Sequence, residues 1–241
     1  MFILLFLLLI TVYLVIAVTT FNAKPDEQTC EGLELVINDS IDYGFITQKE
    51  ILRLLTKEKI SPIGKKMGEI NTRHLEDVIK RHPLIGEVEC FRIPNGKVGI
   101  EVTQRIPLLR IMAVNGENYY LDEKGVTMPT ANNAANVAIA TGHIDKEFAK
   151  KELYEFGLFL KENPFWNAQI QQINVTANKE LELVPRVGEH IIFIGKPGNY
   201  EKKFDKLKTF YKKGLNQVGW NKYSRISLEF ENQIICTKKE K

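Results

Sequence analysis

The N-terminal stretch of the chain is almost wholly apolar. Residues 1–23 contain no charged side chain, and the polar exceptions up to residue 21 are three threonines and one tyrosine. A helix needs about 20 apolar residues to cross a bilayer core, whereas the apolar part of a cleaved signal peptide has about 7–15. The pattern therefore predicts a transmembrane anchor at 1–23, in contact with lipid through residues 1–21, and a linker at 24–32. A cleaved signal peptide and a buried core helix are the alternatives.

Residues 33–106 are predicted to follow the order strand, helix, helix, strand, strand. The first segment alternates loosely between apolar and polar side chains, as a half-buried strand does. Thr47 and Glu50 have the spacing of a capping box at the start of a helix, and Asn71 is a candidate cap for a second helix. An Asn-Gly dipeptide then separates two alternating segments, which is typical of a tight hairpin. The pattern predicts a small β-α-α-β-β domain.

The remaining residues, 107–241, combine short strand patterns with two longer helical ones. One helical pattern follows Asp145, a candidate cap, and the other covers 199–215, each with apolar residues three and four positions apart. The predicted strands are 108–114, 119–121, 137–140, 170–177, 181–185, 190–195, 223–230 and 233–237. The last two are predicted to form a closing hairpin. We therefore expect a mainly antiparallel β domain with flanking helices, which makes the chain α+β.

Charge and residue types exclude several classes of function. The 241 residues have a formal net charge of +3, which is too small to indicate a nucleic-acid partner. None of the four histidines lies in an HExxH motif, and no serine lies in a GxSxG motif. The glycines at 195–198 lack the spacing of a phosphate-binding loop. We expect a protein that is not an enzyme and has no cofactor, metal ion or small-molecule substrate.

Seven lysines lie between residues 196 and 213, mostly on the last predicted helix. The solvated face of an amphipathic helix accounts for them. The alternative is a basic surface that attracts anionic lipid, at about 1 kcal/mol per charge.

Two of the three cysteines are candidates for a disulfide. Cys30 precedes the first predicted strand, and Cys90 lies in a strand expected in the same small sheet. In an oxidising compartment a bridge between them would contribute about 2–4 kcal/mol to stability. The alternative is two buried free thiols.

Three short segments resemble motifs of one bacterial family. Residues 101–107 (EVTQRIP) resemble the V-x-x-R-x-P segment that closes the POTRA domain of the FtsQ/DivIB family. Residues 119–126 (YYLDEKGV) resemble that family's next segment, an aromatic followed by Val/Leu-Asp-x-x-Gly, and 224–230 (SRISLEF) resembles its closing strand. In that strand, Ser227 stands where the family usually has Asp, and Glu229 where it usually has Arg.

The resemblance implies a bitopic scaffold of the divisome, the machinery that builds the septal wall. Such proteins bind the small membrane proteins FtsB and FtsL, and they help to recruit and regulate septal peptidoglycan synthesis. The chain would lie in the cell inner membrane at the division septum, with its C-terminal domain in the periplasm. The alternatives are another membrane-anchored POTRA-type binding or chaperone module of the envelope, and an unrecognised anchored envelope enzyme.

The two closing strands are the candidate partner-binding site. A C-terminal strand is often the edge of a sheet, where unpaired backbone groups can accept a strand from a partner. The predicted edge residues are Tyr223, Ser224, Arg225, Ile226, Leu228, Phe230, Gln233, Ile234 and Ile235. The alternative is that these residues belong to the ordinary core of the sheet.

Overall fold

The computed structural model describes residues 8–16, 25–38, 44–130 and 134–239 of the chain. Residues 8–16 form helix α1, and their side chains are exposed. Within the described ranges, no helix is both long enough and apolar enough to span a bilayer. The other parts of the predicted anchor, 1–7 and 17–23, lie outside those ranges.

The chain forms two compact units, of which the first comprises the described parts of residues 1–39 and 46–104. Its strands and helices follow the predicted order. They are β1 (Gly32–Asn38), α2 (Gln48–Lys57), α3 (Thr72–Lys80), β2 (Ile85–Ile93) and β3 (Lys97–Gln104), with 3-10 turns at Pro25–Glu27 and Met67–Glu69. β3 is the central strand, parallel to β1 and antiparallel to β2.

Side chains just before each helix fix where the two helices of this unit begin. The Thr47 hydroxyl accepts a hydrogen bond from the backbone N–H of Glu50, whose carboxylate accepts one from the N–H of Thr47. Asn71 Oδ1 accepts a hydrogen bond of 3.0 Å from the N–H of His74. Both predicted caps are confirmed, and each satisfies backbone donors that have no partner within the helix.

The predicted Cys30–Cys90 disulfide is not formed, because both thiols are free and buried. β2, which contains Cys90, and β1, which follows Cys30, lie on opposite sides of β3. Two strand spacings amount to about 9.5 Å, more than the roughly 7 Å between Cα atoms that a disulfide can span. The Cys30 thiol instead donates to the carbonyl of Gly32, and burial raises the pKa of Cys90 to about 12.

The second unit comprises the described parts of residues 40–45 and 105–241. It holds nine strands and three longer helices, two of which include a π turn. The strands are β4 (Pro107–Ala113), β5 (Asn118–Asp122), β6 (Thr127–Met128), β7 (Ile139–Gly142), β8 (Ile170–Val175), β9 (Leu181–Pro185), β10 (Ile191–Gly195), β11 (Tyr223–Ser227) and β12 (Ile235–Lys238). The helices are α4 (Lys146–Phe148, Ala149–Leu153 and Tyr154–Glu162), α5 (Pro164–Gln169) and α6 (Tyr200–Phe210, Tyr211–Leu215 and Asn216–Val218).

These strands form one mixed sheet in the order β12-β11-β10-β9-β8-β7-β4-β5-β6. β7 pairs in parallel with both β4 and β8, and β10 pairs in parallel with β11, while the other neighbours are antiparallel. Aromatic rings of all three helices pack in the core, where the ring of Phe204 lies 4.8 Å from those of Phe159 and Trp166. The predicted α+β class is confirmed.

Gly142 ends β7 in a conformation that requires glycine. Its φ is +102°, and a Cβ there would lie 2.2 Å from the carbonyl oxygen of Val175. Gly142 and Val175 are paired in the parallel ladder between β7 and β8. The two strands can therefore approach only because residue 142 has no side chain.

Candidate partner-binding edge

The two closing strands form a hairpin at one end of the nine-stranded sheet. β11 and β12 are antiparallel, with Ile226 opposite Cys236 and Ser227 opposite Ile235. β11 also pairs with β10, so β12 is the terminal strand of this sheet in the described chain. One side of β12 is thus not paired with another strand of the sheet.

The predicted edge residues divide into exposed and buried sets. Ile235 and Phe230 are 45% and 48% exposed. Ile226 and Leu228 have no exposure and belong to the core, so their side chains are not available to a partner. Of the others, Tyr223, Ser224 and Arg225 are half-buried in β11, Gln233 is exposed, and Ile234 is half-buried in the loop before β12.

Arg225 is held in place by neighbouring strands. Its guanidinium donates to the carboxylate of Glu182 at 2.7 Å and lies 4.2 Å from the centre of the Phe193 ring. Glu182 accepts a second hydrogen bond, from the amide of Asn174. The charge of Arg225 is therefore already paired within the sheet. Through Glu182 on β9 and Phe193 on β10, this side chain holds β11 against the two preceding strands.

A lysine on α6 fixes the turn between β11 and β12. The ammonium of Lys206 donates to the carbonyls of Phe230 and Glu231, at 2.6 and 2.8 Å. Beside it, a groove of about 640 Å³ runs between α6 and the loop before β12, with Phe210 and Ile234 in its wall. The sequence pattern predicted Lys206 on the solvated face of its helix. It could not predict the hydrogen bonds of Lys206 to Phe230 and Glu231, because those residues lie more than 20 positions further along the chain.

The motif residues Arg105 and Asp122 form a buried ion pair. Arg105 Nε donates to Asp122 Oδ2 at 2.8 Å, and its Nη2 donates to the carbonyls of Val126 and Thr127. Asp122 Oδ1 accepts hydrogen bonds from the N–H groups of Lys124 and Val126. The R-x-P and D-x-x-G segments are thus bonded to each other, and their contact joins the chain just before β4 to the turn between β5 and β6.

The described residues contain no group of three or more His, Cys, Asp or Glu side chains that could hold a metal ion. The buried histidine, His190, lies 2.8 Å from the hydroxyl of Tyr211, measured from Nε2. Burial lowers the pKa of His190 and raises that of Tyr211, so both stay neutral near pH 7. This pair packs against Trp220 in the interior.

Comparison with known proteins gives matches across both units. Residues 28–103 match a family described as POTRA-like domain, and 106–237 match one described as FtsQ/DivIB, C-terminal related. A protein of Myxococcus fulvus named cell division protein FtsQ is 33% identical over 100 residues, which is 41% of this chain. The chain covers only 33% of the length of that relative. Because the FtsQ/DivIB match at 106–237 covers more than half of this chain, the chain belongs to the FtsQ/DivIB family of cell division proteins.

Proposed function

We propose that the chain is a membrane-anchored scaffold of the divisome that binds other division proteins through the free side of β12. The partners are small membrane proteins of the FtsB and FtsL type. The chain acts at the septum, in the inner membrane with its two units in the periplasm, and it recruits and regulates septal peptidoglycan synthesis without catalysing a reaction.

The open edge of β12 is the observation that supports this function best. An edge strand presents backbone donors and acceptors that can pair with an incoming strand, while neighbouring side chains select the partner. Ile235 on β12 and Phe230 in the bend after β11 are both exposed, and they offer apolar surface to such a partner. Lys206 and Arg225 hold the hairpin in a fixed position, which lowers the cost of ordering it on binding.

Membrane anchoring is supported by the apolar N-terminal stretch. Residues 1–23 have no charged side chain, and the part from Leu8 to Ile16 exposes apolar side chains along a helix. Contiguous exposed apolar surface of this kind marks contact with a membrane or another protein. Flotation of the full chain with lipid vesicles, resistant to carbonate and high salt, is the result expected.

The strand-edge proposal is tested by a pair of variants at Lys238, whose side chain is exposed on β12. The N–H of the next residue, Lys239, donates to the carbonyl of Lys222 beside β11, so the N–H of Lys238 points to the free side of β12. Lys238→Pro removes this backbone N–H and forces φ away from the extended value, so it should weaken binding of an FtsB-type partner at least about tenfold. Lys238→Ala loses the same side chain but keeps the backbone donor, so its affinity should stay within about twofold of wild type. Equal affinities of the two variants would overturn the edge proposal.

Two further measurements complete this test. Tryptophan fluorescence on unfolding shows whether Lys238→Pro leaves the second unit folded, since Trp166 and Trp220 both lie there. A fluorescent fusion should form a mid-cell band, and depletion should give filaments. Uniform envelope fluorescence with normal division would remove the divisome role.

A further inference from the structure

A lysine-rich loop connects α2 to the segment before α3 in the first unit. This segment, residues 57–66 (KEKISPIGKK), is called the lysine loop below. Its lysines are all exposed, and Ile63 between them is 52% exposed. With one glutamate against four lysines, the loop has a net charge of +3 (4 − 1). It therefore combines a concentrated positive charge with an apolar side chain directed to solvent.

Hydrogen bonds hold the lysine loop in a defined conformation. After α2, the N–H of Ile60 donates to the carbonyl of Leu55, and Lys59 adopts a φ of 57°. Pro62 is buried beside the exposed Ile63, and the N–H of Lys65 donates to the Pro62 carbonyl. The loop is therefore preorganised and presents Ile63 without a further ordering cost.

The lysine loop is paired directly with the chain that follows the apolar N-terminal stretch. The N–H of Cys30 donates to the carbonyl of Lys65 at 2.8 Å, and the N–H of Gly64 donates to the carbonyl of Cys30 at 2.9 Å. The N–H of Met67 donates to the carbonyl of Gln28 at 2.8 Å. Any constraint on residue 28 is thus also a constraint on the position of this loop.

Chain length then limits how far the lysine loop can lie from a bilayer. Position 28 lies five residue steps beyond position 23, the last of the uncharged stretch. An extended chain spans at most about 3.6 Å per residue, so residue 28 lies within about 18 Å of the end of that stretch. The lysines paired with residues 28–30 are consequently within reach of lipid headgroups.

We propose that the lysine loop docks on the anionic headgroups of the same bilayer that anchors the chain, with Ile63 inserted at the interface. The proposal rests on the membrane anchor proposed above. Exposed lysines near an anionic bilayer attract it, and an apolar side chain at the headgroup boundary adds hydrophobic burial. Asp26, an acid in the segment before residue 28, forms an ion pair of 3.1 Å with Arg92, which offsets its repulsion of the lipid.

Such docking would orient the first unit on the membrane surface. It would present the free edge of β1 at a fixed angle to the bilayer.

The test uses the full chain in vesicles, with a fluorophore that reports its environment at position 63. Cys236→Ser removes the half-buried thiol, and Ile63→Cys then places the label, since Cys30 and Cys90 are buried. Val36→Cys is the control site, because Val36 is 48% exposed and lies about 13 Å beyond Gly32 along β1. Quenching by lipids that bear a quencher is measured in anionic and in zwitterionic vesicles.

We expect position 63 to be quenched in anionic vesicles several-fold more strongly than position 36, and no such difference in zwitterionic vesicles. About 1 M salt, where the Debye length is about 3 Å, should remove the difference. Changing Lys57, Lys65 and Lys66 to Ser should lower the ratio of docked to undocked chain at least about tenfold, since each lysine contributes about fivefold (about 1 kcal/mol). Changing Lys124, Lys150 and Lys151 to Ser, all exposed and outside both the lysine loop and residues 196–213, is the control of equal charge, and it should leave the ratio unchanged.

Flotation separates the two ways in which this test can fail. A chain that floats with vesicles but shows equal quenching at both positions retains its anchor and overturns the docking proposal. Equal effects of the two triple-lysine variants would also overturn it. A chain that does not float with either kind of vesicle overturns the anchor itself, and the docking proposal with it.

Discussion

Removing the guanidinium of Arg105 should destabilise the second unit strongly while leaving partner binding intact. Asp122 is only 4% exposed and keeps two backbone N–H donors in an Arg105→Ala variant, but it loses its opposite charge. Two carbonyls, those of Val126 and Thr127, lose a donor at the same time. Breaking a buried ion pair from one side costs about 3–5 kcal/mol.

This magnitude can be measured by urea or thermal unfolding followed by tryptophan fluorescence. Both tryptophans of the chain, Trp166 and Trp220, lie in the unit that contains Arg105, so the signal reports that unit alone. For a unit of this size, about 3 kcal/mol lowers Tm by about 10 °C. Below the transition, the affinity of the β12 edge for its partner should remain within about twofold of wild type, because the ion pair lies at the other end of the sheet.

Further variants separate charge from packing at this pair. Arg105→Lys keeps the charge but presents one ammonium in place of the planar fork, so it should recover only part of the loss. The double variant Arg105→Met with Asp122→Asn should be more stable than Arg105→Ala, because no buried charge is left alone and Asn can still accept from both N–H groups. An Arg105→Ala chain within about 0.5 kcal/mol of wild type would refute this reasoning.

Two other predictions concern the interior of the second unit. Burial lowers the pKa of His190, so the folded chain binds a proton at this imidazole less readily than the unfolded chain does. The free energy of unfolding should therefore fall as the pH drops from about 7.5 to about 5. In urea titrations, His190→Gln should show a smaller fall over the same pH range. An unchanged urea midpoint across this range would contradict the assignment. Gly142→Ala should lower the free energy of unfolding by at least about 3 kcal/mol and reduce the soluble yield, because its Cβ would meet the Val175 carbonyl. Gly116 also has a positive φ, of +88°, but no atom lies within 4 Å of a Cβ there, so Gly116→Ala should cost only about 1 kcal/mol of stability.

Local chemistry in the sequence predicted where the main helices begin. Thr47, Asn71 and Asp145 were each expected to cap a helix, and each accepts a hydrogen bond from an N–H in the first turn. Such caps depend on residues three positions apart, so a single sequence is sufficient to find them. Helix α5 was missed, although Pro164 stands at its first turn, where proline is favoured.

Long-range pairing was beyond the reach of the sequence. The insertion of β7 between β4 and β8, in parallel with both, follows from strand contacts that no local pattern encodes. The alternation Ile226-Ser227-Leu228 continues past the end of β11, so the predicted strand ran to residue 230. In the structure the N–H of Leu228 donates to the carbonyl of Phe193 on β10, and Lys206 binds the turn that follows.

The candidate edge was predicted as a hairpin, but not which of its residues face outward. Ile226 and Leu228 are core residues, while Ile235 and Phe230 are exposed. Strand periodicity gives two faces, and it does not say which face the helices cover. The family motifs were recognised as residue patterns, and only the structure shows that Arg105 and Asp122 bind each other.

Burial shields two of the three cysteines of this protein from the redox state of their surroundings. Cys30 and Cys90 are 1% and 7% exposed, and a pKa of about 12 keeps Cys90 almost entirely as the unreactive thiol at neutral pH. Cys236, which is half-buried, is therefore the site at which an oxidant or an alkylating reagent would react first.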